Sequence, residues 1–172
     1  MINNPMRLIA IVIMLLSINN VYAAQTVNTN ITNDWPNSRY TVHDNGTVTD
    51  TVTGLMWQQC SVGQSGSDCS TGSATAYTWQ GALQLAATDT TASLSGWRLP
   101  NESELSSIVA YDRYLPSINV VAFPNTANAY YWSSSLYANG SNHAWMIDFG
   151  DGYVNGGYRY YGTRVRLVRS GQ

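Results

Sequence analysis

Residues Tyr130 to Arg169 read YYWSSSLYANGSNHAWMIDFGDGYVNGGYRYYGTRVRLVR and hold seven of the chain's 12 tyrosines. Three strand-like runs, Tyr131 to Ser134, Ala144 to Phe149 and Thr163 to Arg169, are separated by segments of Asn, Gly and Ser. Those small polar residues are turn formers, so the stretch predicts short antiparallel strands whose connections carry amphipathic rings. Tyr supplies large contact area at low entropy cost, and Ser, Gly and Asn supply adaptable hydrogen bonds, the composition of binding loops on a scaffold. The candidate ligand-binding residues are Tyr137, Asn139, Asn142, His143, Asp151, Tyr153, Asn155, Tyr158, Arg159 and Tyr160, in loops between Leu136 and Tyr161. The plain alternative is a set of solvated hairpin loops.

Upstream of this stretch the period is helical. Asn101 with Glu104 three residues on approximates a capping box, and Leu105, Ile108 and Val109 supply a buried face. Glu102 and Glu104 are the chain's two glutamates, and both suit the first turn of a helix without any catalytic role. Trp79, Ala82, Leu83, Ala86 and Ala87 form an earlier stripe, with Thr78 as N-cap. Before it, two β-branched runs flank Asn45-Gly46, a hairpin signal, and a turn at Thr53-Gly54 leads into Leu55, Met56 and Trp57. Tyr114 to Asn128, punctuated by Pro116 and Pro124, reads as irregular. The sum is an α+β domain with two helices against short antiparallel strands. Its expected core is Trp57, Trp79, Trp97, Leu99, Leu105, Ile108, Trp132, Trp145, Ile147, Phe149, Val165 and Leu167.

The chain starts with a short polar segment, an apolar run from Leu8 to Leu16, and Ala23-Ala24. This is the pattern of a secretory signal peptide over residues 1–23. The run is shorter than the roughly 20 residues a membrane span needs, so no transmembrane segment is expected in the mature chain. A polar, flexible lead-in is expected at 24–37 and one domain over 38–172. In an exported protein, Cys60 and Cys69 read as a local disulfide.

Charged residues are 10% of the chain, against about 25% in ordinary domains, and Arg supplies all eight positive charges. The formal net charge of −2 gives no reason to expect nucleic acid or an anionic membrane as partner. Asp148, Gly150, Asp151 and Gly152 suggest a calcium loop, but Asp-Gly after a strand is first a hairpin turn. His43 and His143 have no carboxylate or Cys at ligand spacing, so no metal or other cofactor is expected. No Ser, His and Asp set has a nucleophile-elbow signature, which favours a binder over an enzyme. Arg159, Arg164, Arg166 and Arg169 offer guanidinium groups for sulfate or carboxylate, or else an exposed face paired with acids. A regular strand puts Arg164 and Arg166 on one face.

The motifs NGTVTDTVTGLMWQ (Asn45 to Gln58), WRLPNESEL (Trp97 to Leu105), WSSS (Trp132 to Ser135), AWMIDFGDG (Ala144 to Gly152) and RVRLVR (Arg164 to Arg169), with the Trp79 to Ala86 helix, resemble the bacterial Lcl C-terminal domain family. The resemblance implies a C-type-lectin-like fold, related to that of formylglycine-generating enzymes. It also implies surface attachment or ligand binding, in the family's collagen-like adhesin to sulfated polysaccharides. Partners are therefore a glycan, sulfated polysaccharide included, or a protein. The calcium-ligand triplets of animal C-type lectins are missing, and both cysteines sit earlier than the reactive pair of the formylglycine enzymes. The scatter of Tyr, Asn, Ser, Gly and His between Leu136 and Tyr161 also resembles the variable proteins of diversity-generating retroelements, which share this fold. An exported enzyme on the same fold is the third reading.

Overall fold

The computed structural model describes residues 25–138 and 140–171. The expected signal peptide at 1–23 and the candidate residue Asn139 lie outside them. The first strands are β1 (Thr26–Val27), β2 (Tyr40–His43), β3 (Thr47–Asp50), β4 (Leu55–Gln58), β5 (Gln64–Ser65) and β6 (Thr71–Gly72). Helices α1 (Trp79–Thr88) and α2 (Glu102–Ser107) follow, and then β7 (Arg113–Tyr114), β8 (Tyr130–Leu136), β9 (His143–Asp148), β10 (Val154–Tyr158) and β11 (Val168–Ser170). The fold is α+β, with every strand pair antiparallel.

The hairpin at Asn45-Gly46 forms where the turn chemistry puts it. His43 pairs with Thr47 and Gly46 takes φ +80°, so β2 and β3 are joined by three residues ending in a left-handed glycine. β4 continues the meander, and the C-terminal β11 closes it by pairing Val168 with Trp57, giving the sheet order β11-β4-β3-β2. A second sheet has the order β10-β9-β8, and β5-β6 and β1-β7 are two-stranded ribbons.

Both helices start on their expected caps. Thr78 Oγ1 accepts from Gly81 N at 3.2 Å, and Ala82 and Ala86 are buried, but Ala87 is exposed and Leu85 packs against the core in its place. Asn101 Oδ1 accepts from Glu104 N at 2.8 Å while Glu104 Oε2 accepts from Asn101 N at 2.8 Å. The same carboxylate takes two 2.6 Å hydrogen bonds from Arg98, so one side chain caps α2 and holds the segment leading into it.

The register of β8 on β9 slips between Trp132 and Leu136, where Ser133, Ser134 and Ser135 lie opposite the single residue Trp145, an excess of two. This bulge ties in both helices. Ser133 C=O accepts from Trp79 Nε1 at 2.8 Å, Ser135 Oγ accepts from Glu102 N at 3.0 Å, and Ser134 N donates to Pro100 C=O at 2.7 Å. Hydroxyls suit the site because a bulge frees backbone groups that a neighbouring polar group must then satisfy.

Two hydrophobic clusters fill the domain. Tyr131, Ile147 and Phe149 join Trp57, Leu105 and Ile108 in one; Trp132, Ala144 and Met146 join Ala82, Ala86, Trp97 and Leu99 in the other. Strand alternation sends neighbouring residues to opposite faces, so the β8–β10 sheet divides the clusters and serves both. Trp79 and Trp145, expected as core, are only half-buried. The strand expected over Thr163 to Arg169 is regular only at Val168–Ser170; before it, isolated bridges join Thr163 to Tyr77 and Arg164 to Tyr131.

The expected lead-in is tied to the domain. Gln25 Nε2 donates to Ile118 C=O at 2.8 Å, Trp35 Nε1 to Ser107 C=O at 3.0 Å, and Asn119 Nδ2 to Trp35 C=O at 2.9 Å. Its polar composition hid these attachments because they run through amides and backbone rather than an apolar stripe.

Candidate functional site

The register of β9 with β10 decides which candidate residues meet. Tyr158 pairs with His143 at one end of the hairpin, and Val154 pairs with Ile147 at the other. Four residue-to-residue steps of strand separate the two ends by about 14 Å. Asp151 and Tyr153 lie in the turn beyond Val154, so they are not part of the cluster around Tyr158, contrary to the single loop face expected. At that end Asp148 Oδ1 accepts from Gly150 N at 2.7 Å, and Asp151 Oδ1 accepts from Tyr153 N at 2.9 Å. Both carboxylates thus hold the turn. Gly152, at φ +84°, lies so near Tyr111 that a Cβ there would come within 3.3 Å of the ring.

At the other end the aromatic side chains stack. The His143 and Tyr158 rings are 4.0 Å apart between centroids, Tyr160 stacks on Tyr158 at 5.2 Å and 25°, and Tyr161 stands edge-on to Tyr160 at 4.8 Å. Tyr158, Tyr160 and Tyr161 remain 38%, 62% and 50% exposed. The tight turn that presents them is closed by Tyr161 N donating to Tyr158 C=O at 2.9 Å. A hydrogen bond with Tyr161 raises the Tyr160 phenol above its ordinary range.

Arg159 lies between these tyrosines in sequence and turns the other way. Its guanidinium carbon sits 5.1 Å from the Trp79 ring centroid, within cation–π reach. Its backbone joins two elements: Arg159 N donates to Asn142 C=O at 2.9 Å, and Arg159 C=O accepts from Trp79 N at 3.0 Å. A cleft of about 670 Å³ opens here, lined by Thr78, Trp79, Gln80, Leu83, Asn142, Arg159 and Tyr160. Of the expected residues, Asn142, Arg159 and Tyr160 line it, and His143 and Tyr158 form the ledge beside it.

Tyr137 and Asn155 play other parts. The Tyr137 ring meets Trp145 edge-on at 4.6 Å and covers Gly156, where a Cβ would lie 2.9 Å from the ring. Asn155 is exposed on the face opposite Tyr158, and its Oδ1 accepts from Gly156 N at 2.8 Å. Asn155 and Tyr158 are on a strand, not in the loop expected. The sequence reading missed Trp79 as a site residue, assigning it to the core. The signal was its place as the first residue of α1, where a ring can lie across the helix end and stay partly open.

Arg166 overturns the expected arginine cluster. It is fully buried, its Nη2 donates to Thr126 Oγ1 at 2.8 Å, and its Nη1 donates to the carbonyls of Gln58, at 2.9 Å, and Gln59. It is therefore neither available to a sulfate nor part of an exposed face. Arg164 and Arg169 are half-buried and make no ion pair among the described residues.

A second cleft, about 600 Å³, runs between the β2–β3 turn and the Cys60–Ser67 segment. Its lining is mostly amide, hydroxyl and carboxylate, and Gln58 Nε2 bridges Asp89 Oδ1 at 2.9 Å and Thr91 Oγ1 at 2.7 Å across it. The disulfide expected between Cys60 and Cys69 is present, with Cα atoms 5.3 Å apart, and secures this wall.

The sequence profile of the Lcl C-terminal domain family matches residues 46–169, from the first hairpin turn into β11. The chain belongs to the Lcl C-terminal domain family. The match spans every residue that lines the Trp79 cleft, so the cleft is part of this chain's Lcl C-terminal domain and not of an appended segment. A comparison with curated proteins returns no match. Among the described residues of this Lcl C-terminal domain protein, no helix is long and apolar enough to cross a membrane, and no three His, Cys, Asp or Glu side chains converge as metal ligands.

Proposed function

We propose that this protein is an exported carbohydrate-binding domain of C-type-lectin-like fold, and not a catalyst. It takes its ligand on the ledge of His143, Tyr158, Tyr160 and Tyr161 and in the adjoining Trp79 cleft. The observation that carries this is the ledge itself: three exposed tyrosines in mutual ring contact, one pair stacked and two edge-on, beside a cleft lined by a half-buried Trp. Folding alone gives no reason to keep three such rings in water. Sugars present flat apolar faces rimmed with hydroxyls, and rigid rings flanked by Asn142, Gln80 and Arg159 complement both features. Arg159 carries no carboxylate partner among the described residues and is free to meet an acidic sugar.

A protein ligand is the second reading, favoured by the same tyrosines, since rigid aromatic rings also dominate protein-binding loops. Binding of the oxidised protein to an array of neutral and acidic glycans separates the two. Carbohydrate binding is expected to weaken at least about tenfold in Tyr160→Ala and in Arg159→Ala, the latter only for acidic glycans and most at low salt. Absence of binding to every glycan would remove the carbohydrate reading. Binding that survives Tyr160→Ala unchanged would move the site elsewhere.

A further inference from the structure

Of the four arginines that close the chain, three have a place for their charge. Arg159 lies over the Trp79 ring, Arg166 over Phe123, and Arg169 lies 6.0 Å from the Trp97 centroid. Arg164 has no such support. Among the described residues its side chain donates no hydrogen bond, meets no carboxylate and lies over no ring, and its Nε is buried without a partner. Its two Nη nitrogens are not cut off in this way and reach the cavity that Arg164 lines.

That cavity holds about 270 Å³ and has Gln64, Ser70, Ser73, Asn125 and Ala127 in its other walls. Among the described residues, Arg164 is the one charged side chain lining it. Segments distant in sequence are tied together around it: Gln64 Nε2 donates to Asn125 C=O at 3.1 Å, and Asn125 Nδ2 donates to Asp68 C=O at 2.8 Å. Two wall residues hold left-handed backbone, Cys69 at φ +55° and Asn125 at φ +48°. The first is uncommon for its residue type, and such strain gathers at ligand sites. The Cys60–Cys69 disulfide fastens this wall to the start of the loop.

The charge around the cavity selects the ligand. Arg166 follows two residues on, fully buried, and its Nη2 donates to Thr126 Oγ1, between the wall residues Asn125 and Ala127. Extended residues two apart lie about 7 Å from each other, so two guanidinium charges crowd this side of the chain. Neither meets a carboxylate among the described residues. An anion in the cavity is attracted by both, and a cation is repelled by both. One open guanidinium matches the single charge of a carboxylate, which it can take through two parallel hydrogen bonds. A dianion calls for a second open cation, and Arg166 is already engaged by carbonyls and hydroxyls. Ser70, Ser73 and the Asn125 amide suit hydroxyl groups beside the carboxylate. The volume lies below the roughly 300 Å³ at which drug-sized pockets begin, which fits one small molecule and not a run of polymer.

We propose that Arg164 anchors a second ligand site, which takes the carboxylate of a small polyhydroxy acid in the cavity beside the disulfide loop. The site shares no lining residue with the Trp79 cleft, and the inference does not depend on the carbohydrate reading.

The test is amide NMR of the isotope-labelled, oxidised protein titrated at constant ionic strength with sodium D-gluconate and with sorbitol, which keeps the carbon chain but lacks the carboxylate. Gluconate is expected to shift amides of residues 70–74 and 125–127 with a Kd of about 1 mM, and sorbitol to bind at least about tenfold more weakly. Arg164→Gln removes the charge and leaves the backbone bonds of residue 164 to Tyr130 and Trp132 in place. It is expected to weaken gluconate binding at least about tenfold while Tm stays level or rises, because the side chain has no partner in the described chain to lose. A lowered Tm with gluconate binding intact would make Arg164 a structural residue and overturn the proposal. If the variant fails to fold, the contrast of gluconate with sorbitol and the map of shifted amides decide alone. No shift, an equal response to sorbitol, or shifts centred on Trp79 and Arg159 would each overturn it. Phosphate or sulfate binding here as tightly as gluconate would mean an adventitious ion only, and would overturn the carboxylate assignment.

Discussion

The guanidinium carbon of Arg166 lies 4.9 Å from the centroid of the Phe123 ring, in a fully buried site where no carboxylate meets it among the described residues. Its charge is spread over neutral acceptors: the carbonyls of Gln58 and Gln59 and the hydroxyls of Thr126 and Ser61. Burial pushes the Arg166 guanidinium down to about 10, so it stays charged at neutral pH. Arg166→Met keeps much of the volume and removes the charge, but strands two buried carbonyls. Loss of about 2–4 kcal/mol is expected, read as a fall in Tm and in the denaturant midpoint. An unchanged Tm would mean that burying the charge costs as much as its hydrogen bonds return.

Arg39 and Asp50 form a buried bidentate pair, Nε to Oδ1 at 2.9 Å and Nη2 to Oδ2 at 2.7 Å. Burial on its own would raise the Asp50 carboxyl, but the hydrogen bonds from Arg39 and from Val52 N outweigh it and hold the group below the usual carboxylate range. A carboxyl depressed in the folded state stabilises fully above its unfolded value, about 3.9, and that stability is lost as pH falls through the folded value. Tm should therefore be flat near neutrality and fall below about pH 4. Thermal melts from neutral to acid pH of the wild type and Asp50→Asn test this. The variant should melt lower at neutral pH and lose part of the acid limb, Glu104 beside Arg98 supplying the rest. Parallel acid limbs in the two proteins would refute the assignment.

Gly156→Ala places a methyl 2.9 Å from the Tyr137 ring, which already contacts Trp145. The ring must swing out, at a cost of about 1–3 kcal/mol, with a change in the near-ultraviolet dichroism of Tyr137 and Trp145. Retention of both Tm and the aromatic signal would show that Tyr137 is loosely held.

Ser135→Ala leaves Glu102 N without its acceptor at the start of α2. A loss of about 1 kcal/mol is expected, similar to removal of an N-cap. Measured by denaturant titration, a change near zero would mean that water replaces the hydroxyl.

Features that depend on neighbours in sequence are legible in the sequence itself. The Asn45-Gly46 hairpin, the Thr78 cap and the Asn101–Glu104 box each close within a few residues, and each formed as read. β10 was missed because Asn155, Gly156 and Gly157 are turn formers, and only pairing with β9 makes them a strand. The same pairing separates Asp151 and Tyr153 from Tyr158 and Tyr160, which no local pattern encodes. Arg166 was read as exposed because a charged side chain is seldom fully buried; its acceptors come from Gln58, Gln59, Ser61 and Thr126, far away in the chain. Trp79 went to the core on hydrophobic period alone, and a helix's first residue is where that argument is weakest.

Tyr131 and Trp132 are consecutive on β8 yet belong to different hydrophobic clusters. No break in the chain separates the two clusters, so neither can melt while the other keeps its wall: releasing Tyr131 shifts the backbone that holds Trp132. The domain should come apart as one cooperative unit. Amide exchange on both faces of β8 should then report a single opening free energy, not two.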